Sequence, residues 1–185
     1  MSPFTEQPTG AAADADWERV RRLAVRFGMG AGVVCAAWIV FLQLSGNNAF
    51  GPKQLLGLLA VPFAAVGSQW LLRAATAPAR PGIGRTLAVG GLTVLLAATI
   101  ASASTWALAH AVGTSGLTLA RSEMVEIVRV EQAHRDKLKR NPQLEQQEIQ
   151  QATQLPIGRL AFGTFVYTVM LGMLAAIPAG LFLRK

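Results

Sequence analysis

Four apolar blocks, each long enough to cross a bilayer, govern what this chain can fold into. A helix needs about 20 apolar residues to cross roughly 30 Å of hydrocarbon. Residues 23–44, 86–112 and 157–183 meet that length, and 55–72 comes close to it. A soluble helix of this size would carry a polar face, and these blocks have almost none. The expected fold is therefore all-α: an integral membrane bundle of four antiparallel transmembrane helices. Residues 1–22 are expected as a mobile N-terminal tail, and residues 113–155 as a helical hairpin outside the membrane between the third and fourth spans.

The first block holds one charge, Arg26, within a turn of its start, so its stem can reach the headgroups. Ala24, Gly28, Gly32 and Ala36 recur every four residues and form one small-residue face. Thr168, Gly172, Ala176 and Gly180 form a matching face on the last block, and Thr93, Ala97, Ala101, Thr105 and Ala109 one on the third. In lipid no hydrophobic force drives helices together, and small residues let backbones approach. The first and fourth spans, running antiparallel, are expected to pack through their small faces.

The segments between the blocks read as connections. The polar start precedes an apolar stretch too long for a cleavable signal, so an uncleaved anchor is expected. Residues 45–53 are rich in Gly and Asn and close on Gly51-Pro52, which marks a turn. Pro62 predicts a kink in the second span, where neighbours can satisfy the freed carbonyl. In residues 113–155, Ser122 has the character of an N-cap, with Glu123 and Glu126 in the first turn after it. Glu131–Arg135 and Asp136–Arg140 are candidate helical pairs. Asn141-Pro142 then breaks the helix and opens a second one running to about Ala152. The hairpin is either a solvated connector or a docking surface. Its apolar trio Met124, Ile127 and Val128 is the candidate partner contact.

The formal charge of +7 does not point to nucleic acid, because the basic residues gather at the block ends. Arg19, Arg21, Arg22, Arg26, Arg73, Arg80, Arg85, Arg184 and Lys185 fall on one side, against Lys53, Arg121 and Arg159 on the other. The positive-inside rule then predicts cytoplasmic termini and an external hairpin in a bacterial inner membrane. The expected partners are the lipid bilayer and either another membrane protein or a second copy of the chain, with no nucleic acid.

Chemistry-bearing constellations are scarce. Gly28-Met29-Gly30 lacks the third glycine and the preceding strand of a dinucleotide loop. The single Cys35 allows no internal disulfide. Neither His110 nor His134 has a metal-ligand companion at suitable spacing. No catalytic, metal or cofactor site is assigned and no cofactor is expected. The spans contain no Asp or Glu, which disfavours a carboxylate-driven transporter. His110, Arg159 and Tyr167 are the candidates for polar or lipid contact. The expected function is a non-enzymatic accessory or scaffold subunit of a membrane assembly. The alternative is a small oligomeric transporter or lipid-handling protein, which a cavity lined by Ser68, Gln69, Thr93, Ser102 and Thr164 would favour. A pocket gathering His110, Arg159 and Tyr167 would instead suggest an enzyme.

Several features together resemble a bacterial four-span membrane family described only as domain of unknown function four-one-nine-nine. They are Arg26-Phe27-Gly28 with Gly32, Gly82-Ile83-Gly84-Arg85 before the third span, the charged Gln/Glu-rich stretch 121–151, and the ending Leu183-Arg184-Lys185. The chain departs from that pattern in its Ala/Ser-rich third span and in residues 113–118. The resemblance implies a four-span fold and a membrane location, and carries no catalytic residue.

Overall fold

A computed structural model describes residues 10–78, 81–134, 141–154 and 156–183. Six helices follow in order: α1 (Gly10–Leu44), α2 (Gln54–Leu58), α3 (Ala60–Thr76), α4 (Ile83–His134), α5 (Pro142–Thr153) and α6 (Ile157–Phe182). No strand occurs among the described residues. Four stretches are long and apolar enough to cross a membrane: Ala15–Leu44, Gln54–Thr76, Ile83–Gly113 and Ile157–Phe182. The all-helical four-span bundle is thus the observed fold.

The membrane part of α4 is the central post, with α1 and α6 each packed chiefly on it and α3 touching all three. Its small face explains this. Thr93, Ala97, Ala101, Thr105 and Ala109 are all buried, so the backbones of neighbours can come close. A Cβ on Gly28 would stand 2.9 Å from the Thr93 carbonyl oxygen, and one on Gly32 would stand 2.7 Å from Ile100 Cβ. On α6, a Cβ at Gly172 would meet Val94, and one at Gly180 would meet Leu87. Ala24, Thr168 and Ala176 are buried with these glycines, whereas Ala36 is half-buried and Cys35 beside it takes the inward position.

The expected pairing of the first and fourth spans is therefore corrected. No sizeable interface joins α1 to α6, and each spends its small face on α4. In a Cys35→Ser background, cysteines at Gly32 and Ile100 should crosslink on oxidation, and cysteines at Gly32 and Gly172 should not. The reverse pattern would restore the first-to-fourth pairing.

Two other boundaries differ from expectation, and the kink expected at Pro62 appears as a helix break. Residues 10–22, expected within a mobile tail, are the first turns of α1. Val20 is fully buried against Leu72 and Val89, and the Asp16 carboxylate pairs with Arg85, a partly solvated contact worth about 1 kcal/mol or less. Residues 1–9 of that expected tail lie outside the described residues. The second span breaks at Leu59, three residues before Pro62, whose missing N–H frees the Leu58 carbonyl. α1 braces this break: Trp38 Nε1 donates to the Lys53 carbonyl at 3.0 Å, and Cys35 Sγ donates to the Gly57 carbonyl at 3.4 Å.

Ser122, finally, is not an N-cap. Helix resumes directly after Gly113, and Ser122 Oγ donates to the Leu119 carbonyl within it. The turn itself sits at Gly113, with φ 62 and ψ −158, a conformation essentially restricted to glycine. The candidate pairs Glu131–Arg135 and Asp136–Arg140 depend on Arg135, Asp136 and Arg140, which lie outside the described residues, as do Arg80, Arg184 and Lys185.

Candidate functional site

α5 opens through local chemistry legible in the sequence. Asn141 Oδ1 accepts from the Gln143 N–H at 3.1 Å, and Pro142 supplies the preset first turn. α5 then lies against the outer part of α4. Gln132 Nε2 donates to the Glu145 carbonyl and to Glu148 Oε2, each at 3.0 Å. The 45–53 loop ties in from the bundle. Asn48 is buried, takes the Phe50 N–H on Oδ1 at 2.9 Å, and donates through Nδ2 to Glu123 Oε2 at 2.7 Å. Beneath that loop Ala49 and Phe50 pack with Ile39, Leu42, Ala109, Leu117 and Ala120. This cluster fixes the outer part of α4 at the end of the bundle.

Between these parts lies a cleft of about 660 Å³. One wall is the outer stretch of α4, with Glu123, Met124, Ile127, Val128 and Glu131. α5 adds Glu148, Gln151 and Ala152. The facing wall is α6, from Arg159 and Leu160 to Gly163, Thr164 and Tyr167, and α2 contributes Gln54, Leu55 and Leu58. Arg159 lies in the first turn of α6 and Tyr167 eight residues further in, a rise of about 12 Å at 1.5 Å per residue. The cleft therefore runs from the polar hairpin down into a membrane-spanning helix.

Its floor is polar, and its donors are satisfied internally. Gln54 Nε2 donates to Thr105 Oγ1 at 3.2 Å and to Thr164 Oγ1 at 3.0 Å, and Thr105 Oγ1 donates to Thr164 Oγ1 at 3.3 Å. All three residues are buried. These bonds join α2, α4 and α6 and leave the slot above them lined by Leu55, Leu58, Leu160 and the Tyr167 ring.

The predicted residues divide around this cleft. Arg159 and Tyr167 line it together, while His110 is exposed elsewhere, its ring 4.3 Å from that of Trp106. The pocket of all three that would have suggested an enzyme does not form. Met124, Ile127 and Val128 face the cleft, although Ile127 remains 46% exposed. Of the polar set proposed to line one cavity, only Thr164 does so here. Thr93 donates to Ser68 at 3.2 Å, Gln69 Nε2 to the Ala176 carbonyl at 2.8 Å, and Ser102 to the Ala161 carbonyl at 2.8 Å.

Sequence reasoning missed Gln54, Asn48 and Glu148. Gln54 stands just before an apolar block, where a polar residue reads as an ordinary flank. The signal that could have found it is its place two residues after Pro52, inside the first turn of the span. No group of three or more His, Cys, Asp or Glu able to hold a metal occurs among the described residues.

The profile of the family described as "Protein of unknown function (DUF4199)" matches residues 26–185. The chain belongs to this family. The match takes in the first span from residue 26 onward, the other three spans and the hairpin, so the cleft lies wholly within the family's domain. No curated protein and no solved structure shows significant similarity to the chain.

Proposed function

We propose that this chain is a non-enzymatic, lipid-handling protein of the bacterial inner membrane, whose cleft holds a lipid-like amphiphile. The cleft carries the reading, because one cavity joins a charged hairpin to an apolar slot and follows a spanning helix for about 12 Å. Ligand sites are typically concave, mostly apolar and furnished with a few placed polar groups. An amphiphile suits that profile, with its chain along Leu55, Leu58 and Leu160 and its head among the hairpin side chains. Native mass spectrometry of the full chain released from mild detergent tests it. A retained lipid-sized adduct is expected; a chain that carries none and takes up none on lipid addition overturns it.

A second reading, an accessory subunit of a membrane assembly, is favoured by apolar positions on the hairpin outside the spans. Leu119, Val130 and Leu144 are about half exposed there, at 46%, 50% and 52%. Replacing the three with Ser should abolish in-cell crosslinking to a defined neighbour if this reading holds, while leaving lipid retention intact.

Both readings take the termini as cytoplasmic. Support comes from Arg19, Arg21, Arg22, Arg26, Arg73 and Arg85, which lie in the parts of α1, α3 and α4 remote from the hairpin. Single cysteines at Ser2 and Ser122 in a Cys35→Ser background should react with a membrane-impermeant thiol reagent only at Ser122. Labelling at Ser2 alone would reverse the orientation.

A further inference from the structure

The polar floor of the cleft leaves one acceptor open, and that atom specifies what an occupant must bring. Gln54 is 8% exposed and lines the cleft. Its Nε2 donates to Thr105 Oγ1 and Thr164 Oγ1. Each of those hydroxyls has a single proton, and both protons are taken up inside the bundle. Thr164 Oγ1 donates to the Leu160 carbonyl at 3.1 Å. Thr105 Oγ1 shares its proton between the Ala101 carbonyl, at 3.0 Å, and Thr164 Oγ1. Neither has a proton left for the carboxamide oxygen. The network itself therefore turns Nε2 toward the threonines and Oε1 away from them. Oε1 accepts no hydrogen bond among the described residues and is not sealed off by packing. It is a fixed, unpaired acceptor where Gln54 lines the cleft. An occupant lying over it excludes water, so the occupant must supply a donor or leave the oxygen buried without a partner.

We infer that the cleft selects a monoacyl glycerolipid, whose free glycerol hydroxyl donates to Gln54 Oε1. Depth decides the group. Thr164, which holds the Gln54 carboxamide, lies about 7.5 Å further along α6 than Arg159 at the polar mouth. The link between head and chain of an amphiphile falls at that level. A diacyl lipid has ester oxygens there, which only accept and cannot pair with Oε1. A lipid with one acyl chain has a hydroxyl in the same place. The size of the cleft agrees, since about 660 Å³ lies within the usual range for a single small-molecule ligand and suits one chain better than two. This inference rests on the lipid-cleft reading and adds the class of lipid.

The test uses the delipidated full-length chain in detergent micelles, titrated by native mass spectrometry. The three probes share a choline headgroup and one chain length, so charge is held constant. They are lysophosphatidylcholine, its analogue lacking the glycerol hydroxyl, and diacyl phosphatidylcholine. Lysophosphatidylcholine should bind at least about ten-fold more tightly than either of the others. Gln54→Met keeps the length of the side chain, and Thr105 and Thr164 keep their carbonyl bonds. This variant should bind lysophosphatidylcholine and the analogue equally, with its affinity for the analogue unchanged from the parent. That retained binding separates loss of the acceptor from misfolding, and the comparison on the unmodified chain needs no variant. Equal binding of those two lipids by the unmodified chain overturns the hydroxyl assignment and leaves the lipid cleft standing, as does tighter binding of the diacyl lipid. A preference that survives in Gln54→Met overturns the role of Gln54. Binding of none of the three overturns both readings. Soluble glycerophosphocholine competing as well as the lipid would assign the site to a free headgroup and overturn the lipid assignment.

Discussion

Replacing Gly28 and Gly32 together with Leu will separate α1 from α4 and sharply lower the melting temperature of the detergent-solubilised chain. A first side-chain carbon at Gly28 would stand 2.8 Å from Leu96 Cβ and 2.9 Å from the Thr93 carbonyl oxygen. At Gly32 the corresponding neighbour is Ile100 Cβ at 2.7 Å. Neither neighbour is the free end of a flexible chain, so the helices themselves must move. Overpacking costs about 1–3 kcal/mol per site, and both sites lie on the same interface, so the effects will reinforce one another. Gly30→Leu is the matched control, since a Cβ there meets nothing within 4 Å and the residue is exposed. Its melting temperature should stay close to that of the parent. Equal losses in the control and the double variant would show that leucine harms α1 for reasons unrelated to packing on α4.

Filling the cleft at Gly163 will expel the amphiphile without disturbing the bundle. Gly163 lines the cleft, and a Cβ there meets nothing within 4 Å. Tryptophan at this position can therefore extend into the slot between Leu55, Leu58 and Tyr167 instead of displacing a packed neighbour. Retention of copurified lipid should fall at least about ten-fold, equivalent to about 1.4 kcal/mol. Gly163→Ala should leave it nearly unchanged, and both variants should melt within a few degrees of the parent. Full retention by Gly163→Trp would place any bound lipid on the outer, bilayer-facing surface and empty the cleft of its proposed role.

The spans and their small faces were legible because the bilayer imposes a length and a polarity on every crossing segment, and both are local properties. The four blocks, the Asn141-Pro142 helix start and the inward set from Thr93 to Ala109 could be read directly. Periodicity gives a helix a packing face; it does not name the neighbour. Three helices here carry small faces, and any two could have paired. The partner was decided by α4 standing at the centre, which let α1 and α6 each spend their faces on it.

The cleft was illegible for a related reason. Gln54, Glu123, Glu148 and Arg159 are distant in sequence and unremarkable one by one. Each reads as a flanking or solvated polar residue until the Gly113 turn and the α5 return bring the hairpin over the end of the bundle. The chain by itself determined a four-span helical membrane protein with a polar hairpin. The choice of helix neighbours and the existence of a shared cavity were decided only in tertiary structure, because both depend on which faces meet and not on what any single face is.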